Sequence, residues 1–192
     1  ACAALCFVGN DVAAAKAGDF LRRVVGPQLD TGQPLLCGWH SQYGLITTFD
    51  PQQARSYSID PRQRLQYLYK IGLLVRAFAF LYSRTGDAAD LKFARAVQEW
   101  AIAASPDVWS NTLAHKLGWS AWTLFALTAD EQYLEQGCRM ADHLVTLQQP
   151  EGAFHYPEYW PPYEQVDIQW KLNIGCQFST WIAYARTMLG NN

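Results

Sequence analysis

The sequence predicts an all-α fold of helical hairpins, in which fully apolar helices alternate with amphipathic ones along the chain. Three observations predict it. The triplets Lys70-Ile71-Gly72, Lys116-Leu117-Gly118 and Asn173-Ile174-Gly175 each precede a long run of aromatic and aliphatic residues. Two of those runs end in polar turns, Ser83-Arg84-Thr85-Gly86-Asp87 and Leu127-Thr128-Ala129-Asp130. The third ends at Leu189-Gly190-Asn191-Asn192, which echoes Phe7-Val8-Gly9-Asn10-Asp11. Recurrence of this kind marks a repeat whose units each bury a face on the next.

The elements follow in order. Asp11 to Val25 reads as a helix capped by Asp11, with Val12, Ala15, Phe20, Leu21 and Val24 at apolar positions. Asp60-Pro61 is expected to open the next helix, because Asp accepts from free amides and Pro suits a first turn. Leu65 to Tyr82 is apolar almost all round, as for a helix packed on every side. Ala88 to Ala104 is amphipathic, with Leu91, Ala94, Val97 and Trp100 at helical spacing. Asn111 to Leu127 is again apolar all round, Gln132 to Leu147 amphipathic, and Val166 to Leu189 apolar and aromatic. Strand signals are weak and confined to Leu45 to Phe49.

The bulk composition bounds the function. At 192 residues the chain is one domain by length. Only 17% of residues are charged while 14% are aromatic, so apolar surface must be buried, line a cavity or face further protein. A net charge of −2 leaves no electrostatic footprint for nucleic acid. No uninterrupted apolar run reaches the roughly 20 residues of a membrane span. Ala1 to Val8 lacks the basic start and cleavage pattern of a signal peptide. Cys2, Cys6, Cys37, Cys138 and Cys176 contain no C-x-x-C pair and are expected to be buried free thiols, which points towards a cytoplasmic protein.

The connections are asymmetric. Gly9 to Asp11, Ser83 to Asp87 and Ala129 to Glu131 are short polar turns, whereas the return connections are Gly26 to Ile59, Ser105 to Ser110 and Gln149 to Gln165, of which the first and last are long and aromatic. Loops of that length are commonly functional. The long loops should gather over the amino ends of the inner helices, whose free amides favour an anionic or hydroxyl-rich ligand.

The alternation of inner and outer helices resembles the α/α toroid proteins: terpenoid cyclases, glycoside hydrolases, uronyl epimerases and polysaccharide lyases. Arg139, Leu144, Gln148 and Gly152 fall in place in a segment resembling the QW motif of triterpene cyclases, with Phe154 where that family has Trp. Sugar-processing toroids carry a similar segment. The resemblance implies an α/α toroid, or a partial toroid of about three helical hairpins, over residues 1–192. A complete ring has six hairpins, so the chain would be half of a longer barrel, or an arc closed by a homodimer.

The candidate site residues follow from these loops and helices. Aromatic planes stack on sugars, and carboxylates or His transfer protons. In the loop Gln149 to Gln165 the candidates are Glu151, His155, Tyr159 and Trp160, beside Tyr156, Glu158, Tyr163 and Glu164. Asn111 and His115 share a helix face that Trp119 continues; the pair resembles the charge-neutralising and base residues of α/α polysaccharide lyases. His40 and Tyr43 sit in the other long loop. Lys70 and Lys116 occupy one repeat position inside apolar helices, so each should meet a carboxylate or a wet cavity. Tyr69 and Trp170 complete the set. His115, His155, Glu151 and Tyr159 are the expected catalytic groups, and the others the expected binding groups. His40, His115, His143 and His155 lack metal-ligand spacing, and no cofactor is implied. The expected function is a carbohydrate-active hydrolase, lyase or epimerase acting on a small-molecule or oligosaccharide substrate. A terpenoid-cyclase-like enzyme and a non-catalytic helical-repeat binding protein are the alternatives.

Overall fold

The computed structural model describes residues 8–60, 62–104, 107–156 and 161–190. Seven α-helices lie within them: α1 (Asp11–Leu29), α2 (Ala54–Tyr57), α3 (Tyr69–Thr85), α4 (Ala88–Ala104), α5 (His115–Thr128), α6 (Glu131–Thr146) and α7 (Ile168–Gly190). Two short antiparallel pairs join β1 (Leu35–Leu36) to β4 (Ser58–Ile59) and β2 (Trp39–His40) to β3 (Gly44–Leu45). The chain is 68% helical, so the class is all-α.

The long helices pack against one another in sequence: α3 lies against α4 and α5, α5 against α6, α1 against α3 and α4, and α7 against α5 and α6. Each hairpin is locked by its turn. Gly86 takes the left-handed conformation after α3, and Ala129 takes it after α5. Asp130 then caps α6 by accepting from the Gln132 amide. Between α4, α5 and α6 lies a buried polar knot. Gln98 donates to the Leu117 carbonyl and to Gln136 Oε1, while the Ser120 hydroxyl donates to Gln98 Oε1 at 2.7 Å. The Arg22–Asp90 pair at 2.8 Å ties α1 to α4.

Two of the three repeat glycines are packing sites. A Cβ on Gly72 would overlap the Lys116 carbonyl, so α3 and α5 cross there with backbones nearly touching. A Cβ on Gly118 would meet Met140 of α6 and the Trp181 ring of α7. Gly175 faces open space and has no such role.

Several boundaries depart from the sequence expectation. Asn10, not Asp11, caps α1 by accepting from the Ala13 amide, and Asp11 instead pairs with Arg84. α1 runs past Gly26 to Leu29 with Pro27 in its last turn. Asp60 does not open a helix. It caps a turn by accepting from the Arg62 amide, and α3 starts at Tyr69 without a side-chain cap. Asn111 caps the single 3₁₀ turn Thr112–Ala114, and the α-helix begins at His115. The helices expected to be packed on every side are not: Leu73 is exposed, and among its described side chains α7 buries the stripe Ile174, Phe178, Trp181 and Ala185. Cys37 and Cys176 are exposed free thiols rather than buried ones, Cys138 is partly buried and free, and Cys2 and Cys6 lie outside the described residues.

Candidate functional site

The turn before α5 sets the centre of the site. Asn111 Oδ1 accepts from the Leu113 amide and tightens the chain into the 3₁₀ turn. That turn places the Thr112 carbonyl 2.9 Å from His115 Nδ1. A carbonyl only accepts, so Nδ1 carries the proton and Nε2 holds a lone pair. His115 is 6% exposed, its Nε2 is buried with no partner inside 3.5 Å, and Gln177 is the side chain that acts on the ring as a hydrogen-bonding group. Burial holds the imidazole down to about 4 from its ordinary 6.5; the Lys116 charge adds to this, against the Thr112 carbonyl and Gln177. The ring is therefore neutral at neutral pH.

Two adjoining cavities of about 380 and 240 Å³ open between α5 and α7. Both are lined by His115, Lys116, Asn173 and Gln177. Tyr67, Tyr69, Tyr156 and Trp170 wall the larger, and Trp119, Cys176, Thr180 and Trp181 the smaller. The floor is aromatic: Phe178 touches the rings of His115, Phe154 and Tyr156 at centroid distances of 5.1 to 5.4 Å. Tyr69 stacks over His115 at 6.5 Å. Gln177 donates to Asn173 Oδ1 at 2.9 Å, which leaves its own carbonyl for another donor.

The site is cationic. Lys116 Nζ lies 5.3 Å over the Tyr69 ring and makes no ion pair with a described carboxylate. Burial, and then the Arg76 charge, lower its affinity for the proton. Arg76, on α3, lies 3.4 Å above the Trp119 ring centroid and 5.4 Å from that of Phe80. Among the described residues no carboxylate lines either cavity.

The structure thus brings together His115, Lys116, Tyr69, Trp119 and Trp170 of the residues singled out from sequence. The others stand elsewhere. Asn111 is buried as the cap of the preceding turn, and its amide lies 3.5 Å from the Gln66 carbonyl. Lys70 does not reach the cavity: its ammonium donates to the carbonyls of Arg55 and Ser56 and fastens the loop before α3. His40 and Tyr43 stack on each other at 4.7 Å on the β2–β3 hairpin and line neither cavity. Glu151 is exposed at a turn, and His155 Nε2 pairs with the Pro161 carbonyl. Tyr159 and Trp160, with Glu158, lie outside the described residues.

The QW-like segment explains how the last loop reaches the cavity. Gln148 donates to the Gly152 carbonyl at 3.0 Å and bridges to Phe154, with Gly152 at a φ of 90°. The reversal sends Phe154 and Tyr156 down onto Phe178.

Arg76, Tyr67, Cys176 and Gln177 escaped the sequence reading. Arg76 carried a usable signal, a lone charge inside an apolar helix, the same one that singled out Lys70 and Lys116. Among the described residues no group of three or more His, Cys, Asp and Glu side chains is placed to hold a metal. No described helix is long and apolar enough to cross a membrane. Neither family models, nor curated proteins, nor solved structures show a match to this chain.

Proposed function

We propose that the chain is a carbohydrate-active enzyme of the lyase or epimerase type, acting on a uronate sugar in the groove between α5 and α7. The observation that carries this reading is the buried, lone-paired Nε2 of His115 beside the Lys116 ammonium, which has no ion pair with a described carboxylate, in an aromatic cavity. Lys116 neutralises the sugar carboxylate, which makes the adjacent C5 proton acidic. His115 Nε2 takes that proton. In elimination the C5–H electron pair forms the C4=C5 double bond as the C4–O bond breaks, and a tyrosine, Tyr69 or Tyr156, protonates the leaving oxygen. In epimerisation the proton returns to the opposite face of C5. Burial raises the proton affinity of both phenols, so they stay protonated as donors.

The other chemistries fit less well. Hydrolysis by the common route needs two carboxylates across the bond, and among the described residues neither cavity is lined by one. A cyclase stabilises a carbocation, which Lys116 and Arg76 would repel. The α3–α4 and α5–α6 hairpins, joined through α3 and α5, support a place among the α/α toroids, as an arc of about three hairpins closed by a second copy or by further hairpins. A native mass measured beside the oligomeric state in solution tests that closure.

The activity test is incubation with polygalacturonate, alginate and hyaluronan. The expected readout is ultraviolet absorbance of the unsaturated product, or deuterium uptake at C5 in heavy water. H115Q is expected to lower the rate by a factor of about 10² or more. Full activity in H115Q, or neither product from any of the three polymers, sinks the reading.

A further inference from the structure

We propose that the groove between α1 and the β2–β3 hairpin is a second binding site, which holds an acidic sugar unit on the exposed Trp39 ring beside Arg23. The choice of ligand rests on the uronate reading above. The groove itself shares no lining residue with the His115 cavities.

Two periodicities build it. Phe20, Arg23, Val24, Pro27 and Gln28 recur at helical spacing and form one stripe of α1, while Ala14, Gly18 and Val25 are the buried positions of that helix. Across the hairpin Trp39 pairs with Leu45, and opposed residues of a strand pair share a face. Stripe and pair together line a cavity of about 430 Å³, within the size range of small-ligand clefts. His40 alternates to the other face, so its stack with Tyr43 takes no part.

Trp39 is half in water and yet fixed in place. It is 48% exposed, while Phe20 meets its ring edge-on at 5.0 Å and Gly44 passes beneath it, an added Cβ meeting the ring at 3.7 Å. A large ring held this way loses little freedom when a ligand stacks on it.

Charge selects the occupant. Among the described residues Arg23 is the only charged one lining the groove, and it makes no ion pair with a described carboxylate. Its neighbour Arg22 pairs with Asp19 and Asp90. Gln28 is already engaged: it donates to the Val24 and Leu36 carbonyls and accepts from the Leu36 amide. An available guanidinium beside an apolar ring matches a ligand with one carboxylate next to a C–H face, which is the make-up of a uronate unit.

The test follows the indole N–H resonance of Trp39, assigned by its loss in W39F. Isotope-labelled H115Q protein, which consumes no ligand, is titrated with trigalacturonate or with neutral maltotriose. Trigalacturonate is expected to shift the resonance at concentrations about tenfold lower than maltotriose does. R23Q should remove that preference, and R23K should keep most of it. Circular dichroism confirms that each variant is folded. An unmoved resonance overturns the proposal, as does an equal response to both sugars or a silent R23Q. A shift on raising the protein concentration alone assigns the face to a second copy and overturns it too. The two readings fail separately. An Arg23-dependent shift, without turnover of any uronate by the unmodified chain, keeps this site and removes the lyase or epimerase. Turnover abolished by H115Q, with the Trp39 resonance unmoved, does the reverse.

Discussion

His115 owes its state to the carbonyl in front of it and the apolar wall around it. The unfolded ring titrates near 6.5 and the folded one at about 4. Between those values the unfolded chain binds more protons, so stability rises with pH from about 4 to 6.5 and is flat above. The difference amounts to about 3 kcal/mol across the window. Urea unfolding of the parent chain at pH 5 and 7 should show this slope, and H115Q should lose most of it. An unchanged slope in H115Q would show that other groups carry it. For the proposed proton abstraction the same titration predicts an acid limb at about pH 4, because protonated Nε2 cannot accept the C5 proton. At this scale the sequence revealed residue types but not partners. Lys70 and Lys116 share a repeat position, yet one donates to loop carbonyls and the other lines a cavity. The carbonyls that separate them lie in the irregular loop before α3, which no periodicity describes.

Elements were legible where a cap or a glycine signals them. Ala88 to Ala104 matches α4 at both ends, and Asp130 caps α6. Asp60-Pro61 misled, because Asp caps turns as readily as helices. The repeat glycines looked alike in sequence and differ in space. Gly72→Ala should destabilise by about 3 kcal/mol or more, because the neighbour is backbone and cannot give way. Gly175→Ala, in open space, should stabilise by up to about 1 kcal/mol through helix propensity. Thermal unfolding of the two variants checks both, and similar effects would mean that the α3–α5 crossing is looser than it stands. The QW-like segment is likewise legible as a turn. Only the fold shows that it aims Tyr156 at the cavity.

At the scale of the whole molecule, the helix packing leaves one flank thin. α7 packs through a single stripe, and Ile168, Trp170 and Leu172 remain 63%, 57% and 61% exposed. Local stability follows buried contacts. Amides of α7 should therefore exchange with solvent well before those of α3 and α5 in native-state hydrogen exchange. Equal protection would mean that something covers that flank in solution. Because α7 supplies Asn173 and Gln177 to the cavity, a bound anionic oligosaccharide should slow its exchange more than that of α3.

The sequence by itself determined the helical class, the order of hairpins and the turns between them. Those depend on periodicity, caps and glycines, which act over a few residues. Only the tertiary structure decided which charges are paired, which inner faces stay open and which residues meet at His115. Those outcomes depend on groups far apart in the chain arriving at one place, where burial makes an unpaired charge costly. Arg76, Lys116 and His115 come from two helices and face a third, and no spacing within one segment describes that meeting.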